Sequence, residues 1–176
     1  MAVWNVIDHD EFSGSANGYE KTSIPASYDH LYFVASARSD AGGDFDFCHF
    51  QLNGDTTNGN YASRWIQGET AALTSGSGAY SWGSQIPGPS GYGDVFGVCE
   101  IWIPNYANTS NYKQAFVNSK APSMTGTTNN QWNVGIAANL WKNNAAVNAF
   151  KFLVFGGTDN MVQYSSFTLY GINGAG

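Results

Sequence analysis

The feature that most constrains this fold is a succession of short segments in which apolar and polar residues alternate, separated by clusters of glycine, asparagine and proline. Alternation with a period of two predicts β-strands, and the clusters between them predict turns. Strands are predicted at about 17–24, 28–38, 45–52, 59–67, 92–103, 112–118, 131–140, 147–155 and 162–172. The pattern predicts an all-β protein with a jelly-roll-like antiparallel β-sandwich in a single domain over 1–176, or a simpler sandwich as the alternative.

One predicted strand, DHLYFVASARSD at 29–40, is apolar on both of its faces. Leu31, Phe33 and Ala35 alternate with Tyr32 and Val34, so the two sets lie on opposite sides of a sheet. One side belongs in the core of the sandwich, and the other side needs a second cover. That cover is either another protein subunit or the chain's own segment 74–94.

The connections between strands carry recognisable turn residues. Asn53-Gly54 is predicted to adopt the positive φ angles of a tight hairpin-like turn, and Asn58-Gly59 is a second candidate. The segment 74–94 is rich in glycine and serine, which predicts a long loop. Strands on either side of 142–146 are predicted to form a hairpin.

The charge content excludes several classes of function. Charged residues make up 11% of the chain, against about 25% in an average soluble domain. The net charge is −6, and the seven basic residues do not cluster, which argues against binding to nucleic acid or to an anionic membrane. No apolar run is long enough for a membrane span, and no secretion signal is recognisable at the N-terminus.

The search for catalytic and metal-binding groups gives no convincing site. Asp40, Asp44 and Asp46 are oxygen donors of the kind that calcium prefers, but their spacing fits a turn better than a calcium loop. His30 and His49 lie in apolar strands, which favours a structural role over catalysis. Cys48 and Cys99 are predicted to be buried thiols, although a disulfide between neighbouring strands stays possible. We therefore expect no enzyme activity, no cofactor and no metal.

Aromatic residues are abundant, at 15% of the chain. Most are predicted to pack in the core or against other subunits, as with Trp102, Trp132 and Phe152, while a few in 74–94 are candidates for contact with a ligand.

Four segments in a fixed order resemble a family of tailed-bacteriophage virion surface proteins: SIPASYDHLYFVASARSD, FQLNGDTTNGNYASRWIQG, CEIWIPNYANTSNYKQAFVNS and SSFTLYGI. The resemblance covers about residues 3–172. It implies a jelly-roll or related β-sandwich without catalytic residues, located on the outer capsid surface as a decoration (cement) protein or on the tail as a fibre-head module. A virion protein of this kind is made in the host cytoplasm.

The resemblance leaves two functions open. The chain has no fibre shaft before the module, which favours a decoration protein that binds the major capsid protein and stabilises the shell. A self-association, most simply a homotrimer, would suit the threefold positions of an icosahedral shell. The alternative is a lectin-like, receptor-binding module that recognises a glycan on the host surface.

The N-terminal segment 1–12 is the predicted site of contact with a partner. Trp4, Val6 and Ile7 supply apolar anchors, and Asp8, Asp10 and Glu11 supply charges for basic groups on a capsid subunit. An edge strand of the sandwich with a solvated acidic end explains the same residues equally well.

Overall fold

Strands account for most of the chain in the computed structural model, which describes residues 3–69, 72–91, 93–125 and 129–174. No α-helix occurs in those residues, and one short 3₁₀ turn covers Asn58–Asn60. The twelve strands are β1 Val3–Glu11, β2 Gly18–Lys21, β3 His30–Ala37, β4 Phe45–Leu52, β5 Tyr61–Glu69, β6 Ala72–Gly78, β7 Ser84–Pro87, β8 Gly97–Pro104, β9 Lys113–Thr125, β10 Asn129–Trp141, β11 Phe150–Val154 and β12 Ser166–Asn173.

Two antiparallel sheets of unequal size form the sandwich. The large sheet has eight strands in the order β1-β12-β3-β8-β9-β10-β5-β6, and the small sheet has four in the order β2-β11-β4-β7. The predicted all-β antiparallel sandwich is therefore confirmed.

Eight of the twelve strands follow jelly-roll connectivity. From β1 to β4 the chain alternates between the large and the small sheet, β7 then returns beside β4, and β8, β11 and β12 alternate again. Removing β5, β6, β9 and β10 leaves two four-stranded sheets, β1-β12-β3-β8 and β2-β11-β4-β7, which is the double Greek key of a jelly roll.

Two inserted hairpins double the width of the large sheet. β5 and β6 are inserted after β4, and β9 and β10 are inserted after β8. Beyond β8 they continue the large sheet in the order β9-β10-β5-β6. The small sheet has no matching extension, so the two layers of the sandwich differ in area.

The core lies between the two sheets and is rich in phenylalanine. Leu31, Phe33 and Phe167 from the large sheet pack with Phe150 and Phe152 from the small one, and all five are fully buried. Phe33 lies 4.7 Å from Phe150 and 5.2 Å from Phe152 between ring centroids. Burying a side chain of this size contributes about 1.5–3 kcal/mol, so this cluster is a main source of the hydrophobic contribution to folding.

The turn predicted at Asn53-Gly54 is present, but it does not join a hairpin. Asn53 has a φ of 54° and Gly54 a φ of 68°, and the Asp55 amide donates to the Leu52 carbonyl at 3.0 Å. The strands on either side, β4 and β5, belong to different sheets. Asn58-Gly59 lies in the 3₁₀ turn without a positive φ angle at either residue.

Two other predicted connections are wrong. The segment 74–94 contains most of β6 and all of β7, so it is only partly a loop. The predicted hairpin around 142–146 is a crossover, because β10 pairs in the large sheet and β11 pairs in the small one. Polar composition and local alternation do not reveal which sheet a strand enters.

Candidate functional site

The side of the large sheet that faces away from the small sheet is the main candidate site, and we call it the outer face. Strand register defines its rows, since directly paired residues share a face. One row crosses all eight strands as Val6, Tyr170, Tyr32, Trp102, Phe116, Ala138, Arg64 and Ser77. The next row contains Thr168, Val34, Glu100, Asn118, Ile136, Ile66 and Ser75.

This face is unusually apolar for a surface. The large apolar side chains that are at least 45% exposed on it are those of Trp4, Val6, Ile66, Leu73, Phe116, Val134 and Ile136. Contiguous apolar patches larger than a few hundred Å² mark sites of macromolecular contact. The side of β3 with Tyr32 and Val34, for which the sequence predicted a second cover, lies on this face. The alternative in which segment 74–94 covers it is wrong. β6 lies at the far edge of the large sheet from β3, β7 lies in the small sheet, and Trp82 between them lies on the inner side of the large sheet, bonded to Asn139.

One half of the outer face is formed by β1, β12, β3 and β8 and carries protruding aromatic rings. We call it the raised half. The Trp4 ring lies 5.2 Å from Tyr32 and 5.8 Å from Tyr170 between centroids, in edge-on contacts. Tyr32 lies 6.0 Å from Trp102. Trp102, which was predicted in the core, therefore belongs to the surface, and the side chain of Trp132 lies outside the described residues.

A partly buried hydrogen-bond network anchors the centre of the raised half. The Tyr32 hydroxyl donates to Glu100 at 2.7 Å, and the Asn118 amide donates to the other oxygen of the same carboxylate at 2.8 Å. Burial, with the bond to Glu100, raises the pKa of Tyr32 to about 12. The hydroxyl therefore stays protonated, and able to donate to Glu100, across the physiological pH range.

The other half is formed by β9, β10, β5 and β6 and contains depressions lined by small residues. We call it the recessed half. A depression of about 950 Å³ there is lined by small side chains such as Ala62, Ser77 and Ala138, with Trp102 and Phe116 along one wall. A second depression of about 430 Å³ lies on the other side of Phe116, next to Ile66 and Ile136. Phe116, about 52% exposed, thus stands as a ridge between two hollows.

The few charges of the outer face are distributed unevenly. By strand register, Glu11 and Glu100 face outward from the raised half, while Arg64 and Lys120 face outward from the recessed half. No other Asp, Glu, Lys or Arg faces outward from the described parts of these eight strands.

The residues predicted to contact a partner at the N-terminus are divided between two sides of β1. Trp4 and Val6 are 51% and 60% exposed and join the outer face. A register shift lies between Val6 and Asp8, and Ile7, at the shift, packs against the core. Asp8 turns inward, where it accepts hydrogen bonds at 3.0 Å from the Tyr19 hydroxyl and from the Lys21 ammonium. Asp10 and Glu11 are exposed on opposite sides of the strand.

The acids of the turn at 40–46 and the two strand histidines lie in surroundings typical of structural roles. Asp40 accepts hydrogen bonds from the backbone and side chain of Asn160. Burial, together with the charge of Asp159, raises the pKa of Asp46 to about 6. Burial lowers the pKa of His49, and His30 accepts a bond from the Asn105 amide. Among the described residues, no three carboxylates, histidines or cysteines form a metal-binding group.

The two described aromatic rings of segment 74–94, which were candidates for contact with a ligand, pack against the protein instead. Trp82 is buried, and Tyr80 packs against Phe155 at 5.3 Å. Tyr92 lies outside the described residues. Sequence reasoning also missed the recessed half, with Arg64, Phe116 and Ile136. The available signal was the outward parity of apolar residues in β9 and β10, which becomes visible only when the register of the strands is known.

The motifs that carry the phage resemblance have structural functions in this fold. In NGDT, Asp55 accepts hydrogen bonds from the Trp141 indole at 2.8 Å and the Asn60 amide at 2.9 Å. In IPNY, the buried Tyr106 hydroxyl donates to the Pro25 carbonyl. In TLYGI, a Cβ on Gly171 would lie only 2.3 Å from the Tyr28 ring, so only glycine lets that ring close over the strand.

None of the described helical segments has the length and hydropathy of a membrane span. Comparisons of the chain with protein-family models, with curated proteins and with solved structures found no match.

Proposed function

We propose that this protein is a non-enzymatic virion protein of a tailed bacteriophage, a decoration protein that binds the outer surface of the major capsid protein shell and stabilises it. The observation that carries the proposal is the exposed end of the edge strand β1, where Asp10 lies on the side away from the outer face and offers a charged contact to a partner. The phage assignment is supported by the four sequence segments named above. The jelly-roll fold is compatible with this role but does not by itself indicate a function.

Shell stabilisation of this kind works by burial of contact area. A subunit that bridges neighbouring capsid proteins adds contacts that must break before the shell opens, so its effect scales with occupancy. The exposed acidic end of β1, with Asp10, is the candidate contact with basic groups on the shell. Asp10 pairs with Phe167, whose side chain lies in the core, so Asp10 points away from the outer face.

Binding of the purified protein to expanded, undecorated shells tests this proposal. Co-sedimentation is expected to saturate at hundreds of copies per shell, and Asp10→Lys is expected to weaken it at least tenfold by placing a cation against the basic contact. Asp44→Lys is the matched control: an acid changed in the same way, in the turn before β4 of the small sheet. No binding by the wild-type protein would overturn the proposal, and equal binding by Asp10→Lys would overturn the contact.

A glycan-binding tail module is the second candidate, and the depression beside Trp102 and Phe116 is the observation that favours it. Sugar rings stack on aromatic side chains, and Arg64 and Gln114 line the same depression with hydrogen-bond donors. Copy number in purified virions separates the two functions. Hundreds of copies indicate shell decoration, and a small multiple of the number of tail fibres indicates host adsorption.

A further inference from the structure

The two halves of the outer face have opposite shapes. Rings of Trp4, Tyr32, Tyr170 and Trp102 stand out from the raised half. The recessed half has hollows of about 950 Å³ and 430 Å³ over alanine, serine and glycine residues. A surface that carries both a relief and its counterpart is able to pack against a copy of itself.

The charges of the two halves are opposite as well. The raised half carries outward-facing acids, Glu11 and Glu100, and the recessed half carries outward-facing bases, Arg64 and Lys120. Packing raised half on recessed half therefore brings unlike charges together, whereas raised on raised would bring acids together. Complementary charge fixes the register of an interface and disfavours the wrong one.

We propose that the outer face pairs with the outer face of a second copy of this chain about a two-fold axis. The axis lies between the large sheets of the two copies, parallel to their strands, at the boundary of β8 and β9. This operation places β3 over β10, β12 over β5 and β1 over β6 of the other copy. Tyr32 then lies over Ala138, and Tyr170 lies over Arg64, in reach of a cation–π contact.

A second copy is the occupant that satisfies both halves in one contact. In a two-fold interface each complementary pair of groups occurs twice, so one match between the halves covers the whole face. The area is also adequate. Eight strands spaced about 4.8 Å apart, each in contact over a length of about six residues at about 3.3 Å per residue, give an area on the order of 800 Å² per copy. A standard stable interface buries about 800 Å² on each partner.

This contact does not depend on the capsid assignment, and it differs from the trimer expected from shell symmetry. Two-fold pairing predicts an even number of copies of the 18.9 kDa chain in solution. Asp10, the acid tested for shell binding, points away from this face, so loss of shell binding and loss of pairing are separable by mutation.

Sedimentation equilibrium of the full chain at micromolar concentration tests the pairing. The wild-type protein is expected to have the mass of two copies, or of another even number. Phe116→Asp is expected to raise the dissociation constant at least about tenfold, because a charge would enter the centre of the contact. Phe47→Asp is the matched control, since Phe47 is 48% exposed and lies on the small sheet. A mass of one or three copies, or equal effects of the two substitutions, would overturn the proposal.

Cross-linking gives a second measurement that does not rely on a disruptive substitution. One batch of protein carries Val34→Cys on β3 and another carries Ile136→Cys on β10, while the native Cys48 and Cys99 are buried. A short bis-maleimide is expected to join the two batches when they are mixed, because these positions face each other across the axis. Either batch alone is expected to cross-link at least tenfold less. Equal cross-linking in the mixture and in the separate batches would rule out this axis.

Discussion

At the scale of single residues, one carboxylate organises the end of the sandwich where β4 leaves the small sheet. Asp55 accepts hydrogen bonds from the Trp141 indole, the Asn60 amide and the Thr57 backbone. Burial of Asp55 opposes ionisation, but these three bonds outweigh it and lower the pKa of the carboxyl. The side chain therefore ties β10 to the turn that follows β4.

Asp55→Ala is expected to reduce the free energy of unfolding by about 1–3 kcal/mol, because the buried Trp141 indole loses its acceptor. The folded pKa of Asp55 lies below its unfolded value, so the ionic contribution is full above the unfolded pKa and is lost as the pH falls through the folded pKa. Urea unfolding near neutral pH and in acid measures the difference. Glu11→Ala, which removes an exposed acid at the end of β1, is the control, and a loss of stability that is the same at both pH values would contradict the role of the charge.

At the scale of elements, the inserted strands extend beyond the small sheet, so their inner side must be covered by side chains from elsewhere. Trp82, between β6 and β7, provides this cover and is 2% exposed. Asn139 of β10 holds this residue by both backbone groups, accepting from its amide at 2.7 Å and donating to its carbonyl at 3.1 Å. The segment with the composition of a loop thus serves as part of the core.

Trp82→Ala is expected to reduce the free energy of unfolding by about 3–5 kcal/mol through the cavity it leaves under the inserted strands. Urea or thermal unfolding measures this loss. Tyr112→Ala, which removes an exposed aromatic ring, is expected to change stability by less than about 0.5 kcal/mol. Similar stability of the two variants would show that Trp82 does not fill a core.

The alternation of apolar and polar residues predicted most of the strands. The features that it missed depend on how the strands pair. Phe45–Leu52 was predicted to the residue, and His30–Ala37 lies inside the predicted 28–38. β6 was missed because ALTSGSG lacks the apolar residues of a typical strand, while its pairing with β5 makes it one. The exposed N-terminal Trp4 and Val6 were recognised as candidates for contact. Phe116 and Ile136 were not, because only the order of strands places them beside the same rings.

At the scale of the whole molecule, the two cysteines are both free and buried, Cys48 in the small sheet and Cys99 in the large one. Burial raises the pKa of each thiol. The Cys99 thiol also contacts the Gly83 carbonyl. A thiol that is both protonated and inaccessible reacts slowly with disulfide reagents.

We expect fewer than about one tenth of the thiols to react with an aromatic disulfide reagent in the time that urea-unfolded protein reacts at both cysteines. The melting temperature is expected to be the same with and without reductant, since neither thiol forms a disulfide in this structure. Rapid reaction of the native protein, or a fall in melting temperature on reduction, would contradict this description of the core.

The pairing of β1 with β12 has a consequence for the order in which the chain folds. β9 and β10 are neighbours along the chain and form a local hairpin, whereas Val3 pairs with Asn173 at the other end of the sequence. Local hairpins close within microseconds, and contacts between distant segments form late because a long loop must close first. During synthesis β1 must therefore wait, without its neighbour, until β12 has left the ribosome.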